Sequence, residues 1–219
     1  MRDNSFERLG GLAAMVAGAA GFFYAIAFIV LQNALLSALF LTIAGLASSV
    51  TLVALYDRLI NTSPGFARYA LLLGLLGTLG AAIHGGYDLA NAINPPAAAS
   101  PALDNLPSQI DPRGLLTFGI AGIALLVFAW LITRSTVLPR GLGYLGYVSA
   151  LLSILLYLGR LIVLQPSNPI ILVPALVNGF IVNPLWYIWL GIALWQPVMV
   201  TSPAYQGQER RMAERRQAL

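Results

Sequence analysis

The chain has 219 residues, of which 58% are hydrophobic and only 9% charged, with a formal net charge of +4 and a mean hydropathy of +0.80. A soluble domain carries roughly a quarter charged residues, so this composition lacks the polar surface that would cover a water-facing core and points to a bilayer. There is no cysteine, and all 12 basic residues are arginine, which excludes disulfide scaffolds, thiolate metal sites, cysteine nucleophiles and any mechanism built on a lysine amine.

A helix needs about 20 apolar residues to cross roughly 30 Å of hydrocarbon. Six such runs follow in chain order, at 9–31, 34–55, 69–93, 114–132, 142–164 and 170–195. The first is preceded by Arg2 and Arg8 but exceeds the apolar core of a signal peptide, so it reads as an uncleaved membrane helix. Gln32-Asn33 forms a tight turn into the second. Between the third and fourth, residues 94–113 carry Pro95, Pro96, Pro101, Pro107 and Pro112 with Asp104 and Asp111, the longest connection and the one that reads as a lid or a mobile segment. The expected fold is all-α: an integral membrane bundle of six transmembrane helices within residues 1–195, followed by a basic cytoplasmic tail at 196–219.

Cytoplasmic loops retain positive charge, and the arginines divide accordingly. Arg2, Arg8, Arg58, Arg68, Arg134, Arg140, Arg210, Arg211, Arg215 and Arg216 fall on one side, Arg113 alone on the other, and Arg160 inside the fifth run. Both termini are expected to be cytoplasmic, with Tyr56, Tyr69, Trp130, Tyr144 and Trp195 near the inner headgroups. The arginines of the tail act as a topological anchor, or alternatively grip anionic lipid or an acidic partner. Gly10, Ala14 and Gly18 recur at intervals of four on the first helix, and Gly143 with Gly146 open the fifth. Such small residues let backbones approach closely, either between helices of one chain or across a homo-oligomer face.

The chemistry concentrates in helices three, five and six. IHGGYDLANAI places His84, Asp88 and Asn91 at i, i+4 and i+7 with Tyr87 beside them, one polar stripe on the third helix. Ser149, Ser153, Tyr157 and Arg160 share a face of the fifth, and the sixth adds Pro174, Asn178 and Asn183-Pro184. A charge in hydrocarbon costs several kcal/mol, on the order of 2.5–3.5 on insertion scales, unless it is paired, hydrated or snorkelling. Asp88 and Arg160 fall at a similar depth, so one economical arrangement pairs them across the bundle. Two alternatives stand side by side. One is an interhelical clamp; the other is a ligand pocket in the outer half, built by His84, Tyr87, Asp88, Asn91, Tyr157, Arg160 and Asn178.

No catalytic residue and no metal site is assigned: one histidine beside Asp88 falls short of the three protein ligands of hydrolytic zinc, and nucleotide loops, HExxH and GxSxG are absent. His84 could hold a single macrocycle axially, so the cofactor stays unknown. No basic domain with interleaved aromatics exists for nucleic acid.

WYIWLGIALW in the sixth helix, DPRGLLTFGIAG at the start of the fourth and LPRGLGYLGYVSALL at the start of the fifth resemble uncharacterised multi-pass bacterial membrane proteins grouped as domains of unknown function. The resemblance covers about the C-terminal half and implies a six-helix protein of a bacterial inner membrane; it carries over no functional residue. Three functions stay open. The first is binding or transport of a small or amphiphilic ligand; the second is an accessory subunit of a larger membrane complex, holding a pigment, haem, quinone or lipid; the third is an intramembrane lipid-modifying enzyme. The partners expected are the lipid bilayer and either other membrane proteins or a second copy of the chain.

Overall fold

A backbone surrounded by hydrocarbon must satisfy its N–H and C=O groups within its own segment, and long apolar runs therefore become helices. The computed structural model describes residues 5–95, 110–163, 165 and 167–196. Six helices in it are long and apolar enough to cross a membrane: α1 Ser5–Val30, α2 Ala34–Leu59, α3 Pro64–Ile93, α4 Leu115–Arg134, α5 Arg140–Ile162 and α6 Pro169–Trp195. The lid expected from the 94–113 connection falls largely on residues outside those described, as does the tail beyond Gln196.

Each apolar run is helical, with its ends displaced for physical reasons. α2 continues through Leu59 instead of stopping at 55, and α3 starts at Pro64 instead of 69. Charged residues end the apolar run without ending the hydrogen-bond ladder, and Pro64 occupies the first turn, where a missing N–H leaves no bond unmade. At the other end of α2, the Asn33 side chain caps the helix by accepting from the Leu36 N–H at 3.0 Å.

Each helix packs on the next in chain order, and α6 returns to α1, closing a ring of six. At one end the ring is filled. Leu55, Leu59, Leu131, Ile132, Leu142 and Leu190, from α2, α4, α5 and α6, are fully buried there. The same end is fastened by Arg58, whose Nη2 lies 2.5 Å from Glu7 Oε2 and also donates to the carbonyls of Leu194 and Gln196 at 3.1 and 3.2 Å. A helix C-terminus leaves four carbonyls unpaired, and this guanidinium satisfies two at the end of α6 while holding α1.

The small-residue stripe of α1 is used inside the chain. Gly10 faces Ala54 of α2, Gly18 faces Pro184 and Tyr187 of α6, and Ala14 between them is fully buried. Gly143 and Gly146 likewise meet Ala129 and Thr133 of α4 and Trp186 of α6. These residues are therefore contacts between helices of one chain, and of the two alternatives the interhelical one describes them. The outward surface is apolar: Leu72, Leu76, Leu79 and Ile83 of α3 are all exposed, a face suited to lipid.

Among the described residues, three helices carry a wider, π-helical turn, at Ile26–Val30 in α1, Leu115–Ile120 in α4 and Asn178–Val182 in α6. In α6 the cause is visible in the sequence. Pro184 has no N–H to offer, and the Asn183 N–H reaches back to the Asn178 carbonyl, closing a turn one residue longer than an α turn.

Candidate functional site

The end of the ring opposite Arg58 is hollow. All six helices contribute to a cavity of about 190 Å³, which along α4 runs from Thr117 to Phe128, about 16 Å at the helical rise. Small residues line it where the opposite end places leucine and isoleucine: Ala81 on α3 and Ala121 and Ala124 on α4, with Gly45 and Gly77 at the close contacts of α2 with α3 and of α3 with α4. Leu52, Phe128 and Trp186 line it toward the filled half, and Arg160 and Thr117 line it at the far end. All three π turns contribute lining residues, Phe28 and Ile29, Thr117 and Phe118, and Asn178 and Gly179. Wide turns of this kind recur at functional sites, because they reorient side chains that an unbroken α-helix would hold elsewhere.

Among the described residues, Arg160 is the one charged residue of the lining. It does not snorkel: the residue is only 8% exposed. Its guanidinium carbon stands 5.1 Å over the ring of Phe118, a cation–π contact. Among the described residues no carboxylate lies within ion-pairing distance of it, and its guanidinium makes no hydrogen bond to a protein group. Tyr24 and Asp111 are the groups within its electrostatic reach.

Asp111 is itself fully engaged. Its carboxylate accepts from the N–H groups of Leu116 and Thr117 at 3.3 and 2.9 Å and from the Thr117 hydroxyl at 2.9 Å, satisfying the start of α4. Gly114, in the left-handed region at φ 75°, makes the turn that brings the carboxylate back over the helix start. Arg113 then reaches across and donates to the carbonyls of Arg160 and Leu161 at 2.8 and 3.3 Å, tying the start of α4 to the end of α5.

The expected site residues divide into separate groups. Arg160 and Asn178 line the cavity; His84, Tyr87, Asp88, Asn91 and Tyr157 do not. Asp88 stands 3.1 Å from His84 Nε2, one turn away on the same helix, and not in ion-pairing contact with Arg160. The pairing of Asp88 with Arg160 across the bundle is thus not what the structure contains. Helical spacing gives the depth of a side chain reliably but not the rotation of its helix, and an i,i+4 neighbour was already at hand. Tyr87 and Asn91 continue the half-buried stripe of α3, and Tyr157 packs flat against Gly119 of α4.

Asn178 is a strut as well as a lining residue. Its Oδ1 accepts from the Ser149 hydroxyl at 2.9 Å, and its Nδ2 donates to Ser153 Oγ at 3.1 Å, so the polar face of α5 is used to hold the π turn of α6. Trp186 is buried at the cavity lining with its indole N–H unpartnered among the described residues.

Tyr24, Thr117 and Asp111 escaped the sequence reading as site residues. A signal existed for two of them, since Asp-Pro followed by glycine just before an apolar run is a helix-start pattern that brings Asp111 back onto Thr117. Tyr24 had none beyond being a lone hydroxyl within an apolar run; it lies within electrostatic reach of both Arg160 and Asp88. No family model, curated protein or solved structure matches the chain.

Proposed function

We propose that this is a multi-pass protein of a bacterial inner membrane, both termini cytoplasmic, that holds a small or amphiphilic ligand in the cavity headed by Arg160. The single observation behind this reading is Arg160 itself. A buried guanidinium that has no carboxylate or hydrogen-bonding partner among the described residues is costly in hydrocarbon, and this one stands at the end of an apolar cavity. A guest with a polar head would relieve that cost when bound. The arginine asymmetry and the resemblance of the C-terminal half support the orientation and the location.

The filled half of the ring favours holding over passage. Transport would require parting the buried leucines between α2, α4, α5 and α6, and the cavity reaches only as far as Leu52, Phe128 and Trp186. An accessory subunit that holds a quinone or lipid is compatible with the same cavity. A haem or pigment is disfavoured by ligation, because His84 lies outside the lining with its Nε2 on Asp88. The enzyme reading would place its substrate against His84 and Asp88, outside this cavity.

A dodecyl chain bearing a terminal diazirine tests the cavity. Photolysis in vesicles should label Leu52, Phe128 or Trp186. Labelling confined to lipid-facing residues such as Leu72 and Leu79 would contradict the reading. Tag-accessibility reporters at both termini should read cytoplasmic in intact cells.

A further inference from the structure

The chemistry around Arg160 also specifies the head of the guest. We infer that the cavity takes a single-chain amphiphile with an anionic headgroup, a carboxylate or a phosphate, its head on Arg160 and its chain running toward Phe128 and Trp186. This rests on the proposed function and adds the charge and shape of the ligand to it.

Headgroup charge follows from what surrounds the guanidinium. Its planar fork of donors matches a carboxylate or phosphate bidentately, and among the described residues no protein acceptor occupies that fork. The nearby carboxylates are committed elsewhere, Asp111 to three donors at the start of α4 and Asp88 to His84. The hydroxyl of Tyr24, within electrostatic reach of Arg160, supplies a further donor from α1. A cationic head would be repelled by Arg160, and a neutral alcohol would satisfy at most part of its fork. Chain number follows from shape. A cavity of about 190 Å³ whose lining extends over about 16 Å is narrow, which excludes the two chains of a diacyl lipid and admits at most one alkyl or prenyl chain.

The test is equilibrium binding of four probes with the same chain, namely dodecanoate, dodecyl phosphate, dodecanol and dodecyltrimethylammonium. The full-length protein is held in nanodiscs of zwitterionic phosphatidylcholine, and binding to protein-free nanodiscs is subtracted. Saturable binding of at least one anion, about tenfold or more tighter than dodecanol, is expected, that being the worth of a charge-assisted hydrogen bond. The ammonium probe is expected to bind weakest. In Arg160→Gln the preference for anions over dodecanol should vanish while dodecanol binding persists.

Whichever anion leads identifies the head as carboxylate or phosphate. Equal binding of dodecanol and both anions, or preference for the ammonium probe, overturns the inference and leaves the cavity reading standing. Anion preference that survives in Arg160→Gln also overturns it, since the head would then lie elsewhere. Saturable binding of none of the four overturns the cavity reading itself. Should Arg160→Gln fail to fold, the headgroup series on the unaltered protein decides alone.

Discussion

Arg58 Nη2 and Glu7 Oε2 meet at 2.5 Å with both side chains buried, joining α2 to α1 at the filled end of the ring. The same nitrogen donates to the last carbonyls of α6, so one guanidinium fastens three helices. Arg160, at the hollow end, is buried to a similar degree, and among the described residues its guanidinium makes no ion pair or hydrogen bond, only the cation–π contact with Phe118. Two arginines of similar burial thus have opposite roles, and removing them should have opposite consequences.

Arg58→Met leaves Glu7 buried and uncompensated, at an expected cost of about 3–5 kcal/mol. The double variant Glu7→Leu with Arg58→Met should recover most of that loss, because both charges are then gone. Unfolding equilibria in mixed micelles measure it. A loss below about 1 kcal/mol for Arg58→Met would mean that the pair is solvent-screened.

Asp88 is coupled to His84 and not to Arg160. A double-mutant cycle on His84→Ala and Asp88→Asn should give an interaction energy of about 0.5 kcal/mol or more. The cycle on Asp88→Asn and Arg160→Gln should be additive within about 0.5 kcal/mol. The reverse pattern would restore an ion pair across the bundle.

Two glycines should respond in opposite directions to alanine. A Cβ on Gly45 would lie 2.6 Å from the Thr78 carbonyl oxygen and 2.6 Å from the Ala82 nitrogen, both backbone atoms of α3 that cannot swing aside. Gly45→Ala should cost about 1–3 kcal/mol by forcing α2 and α3 apart. Nothing lies within 4 Å of a Cβ on Gly86, so Gly86→Ala should stabilise α3 by about 0.5–1 kcal/mol. Thermal unfolding of the two variants side by side checks both signs.

Asn178 joins α6 to α5 through Ser149 and Ser153. Hydrogen bonds between membrane helices average about 0.6 kcal/mol, so Asn178→Ala should cost about 1–2 kcal/mol for the two together. Ser149→Ala should cost about half of that. A neutral Asn178→Ala in the same unfolding assay would mean that water or lipid replaces both bonds.

Much of this architecture is legible in the chain, because hydrocarbon leaves a backbone so few choices. The six apolar runs map onto six helices, and Gly10, Ala14 and Gly18 mark a real contact face. What escapes is rotation and charge partnership. Arg58 looks like a loop arginine until α2 is seen to continue past it, and Glu7, 51 positions away, carries no sign of being its partner. The cavity is equally hidden, since it is lined by what is small, Ala81, Ala121 and Ala124 among others, and not by any motif. Arg160 and Asn178 could be singled out because polar side chains inside an apolar run are conspicuous; Tyr24 and Thr117 were masked by their apolar neighbours.

The most direct measurement is native mass spectrometry of the protein extracted from its own membrane in a mild neutral detergent, unaltered and as Arg160→Gln. The expected result is a single-chain acidic amphiphile retained one to one by the unaltered protein and lost from the variant. Bulk phospholipid alone, in the same proportions on both, would contradict a ligand site headed by Arg160.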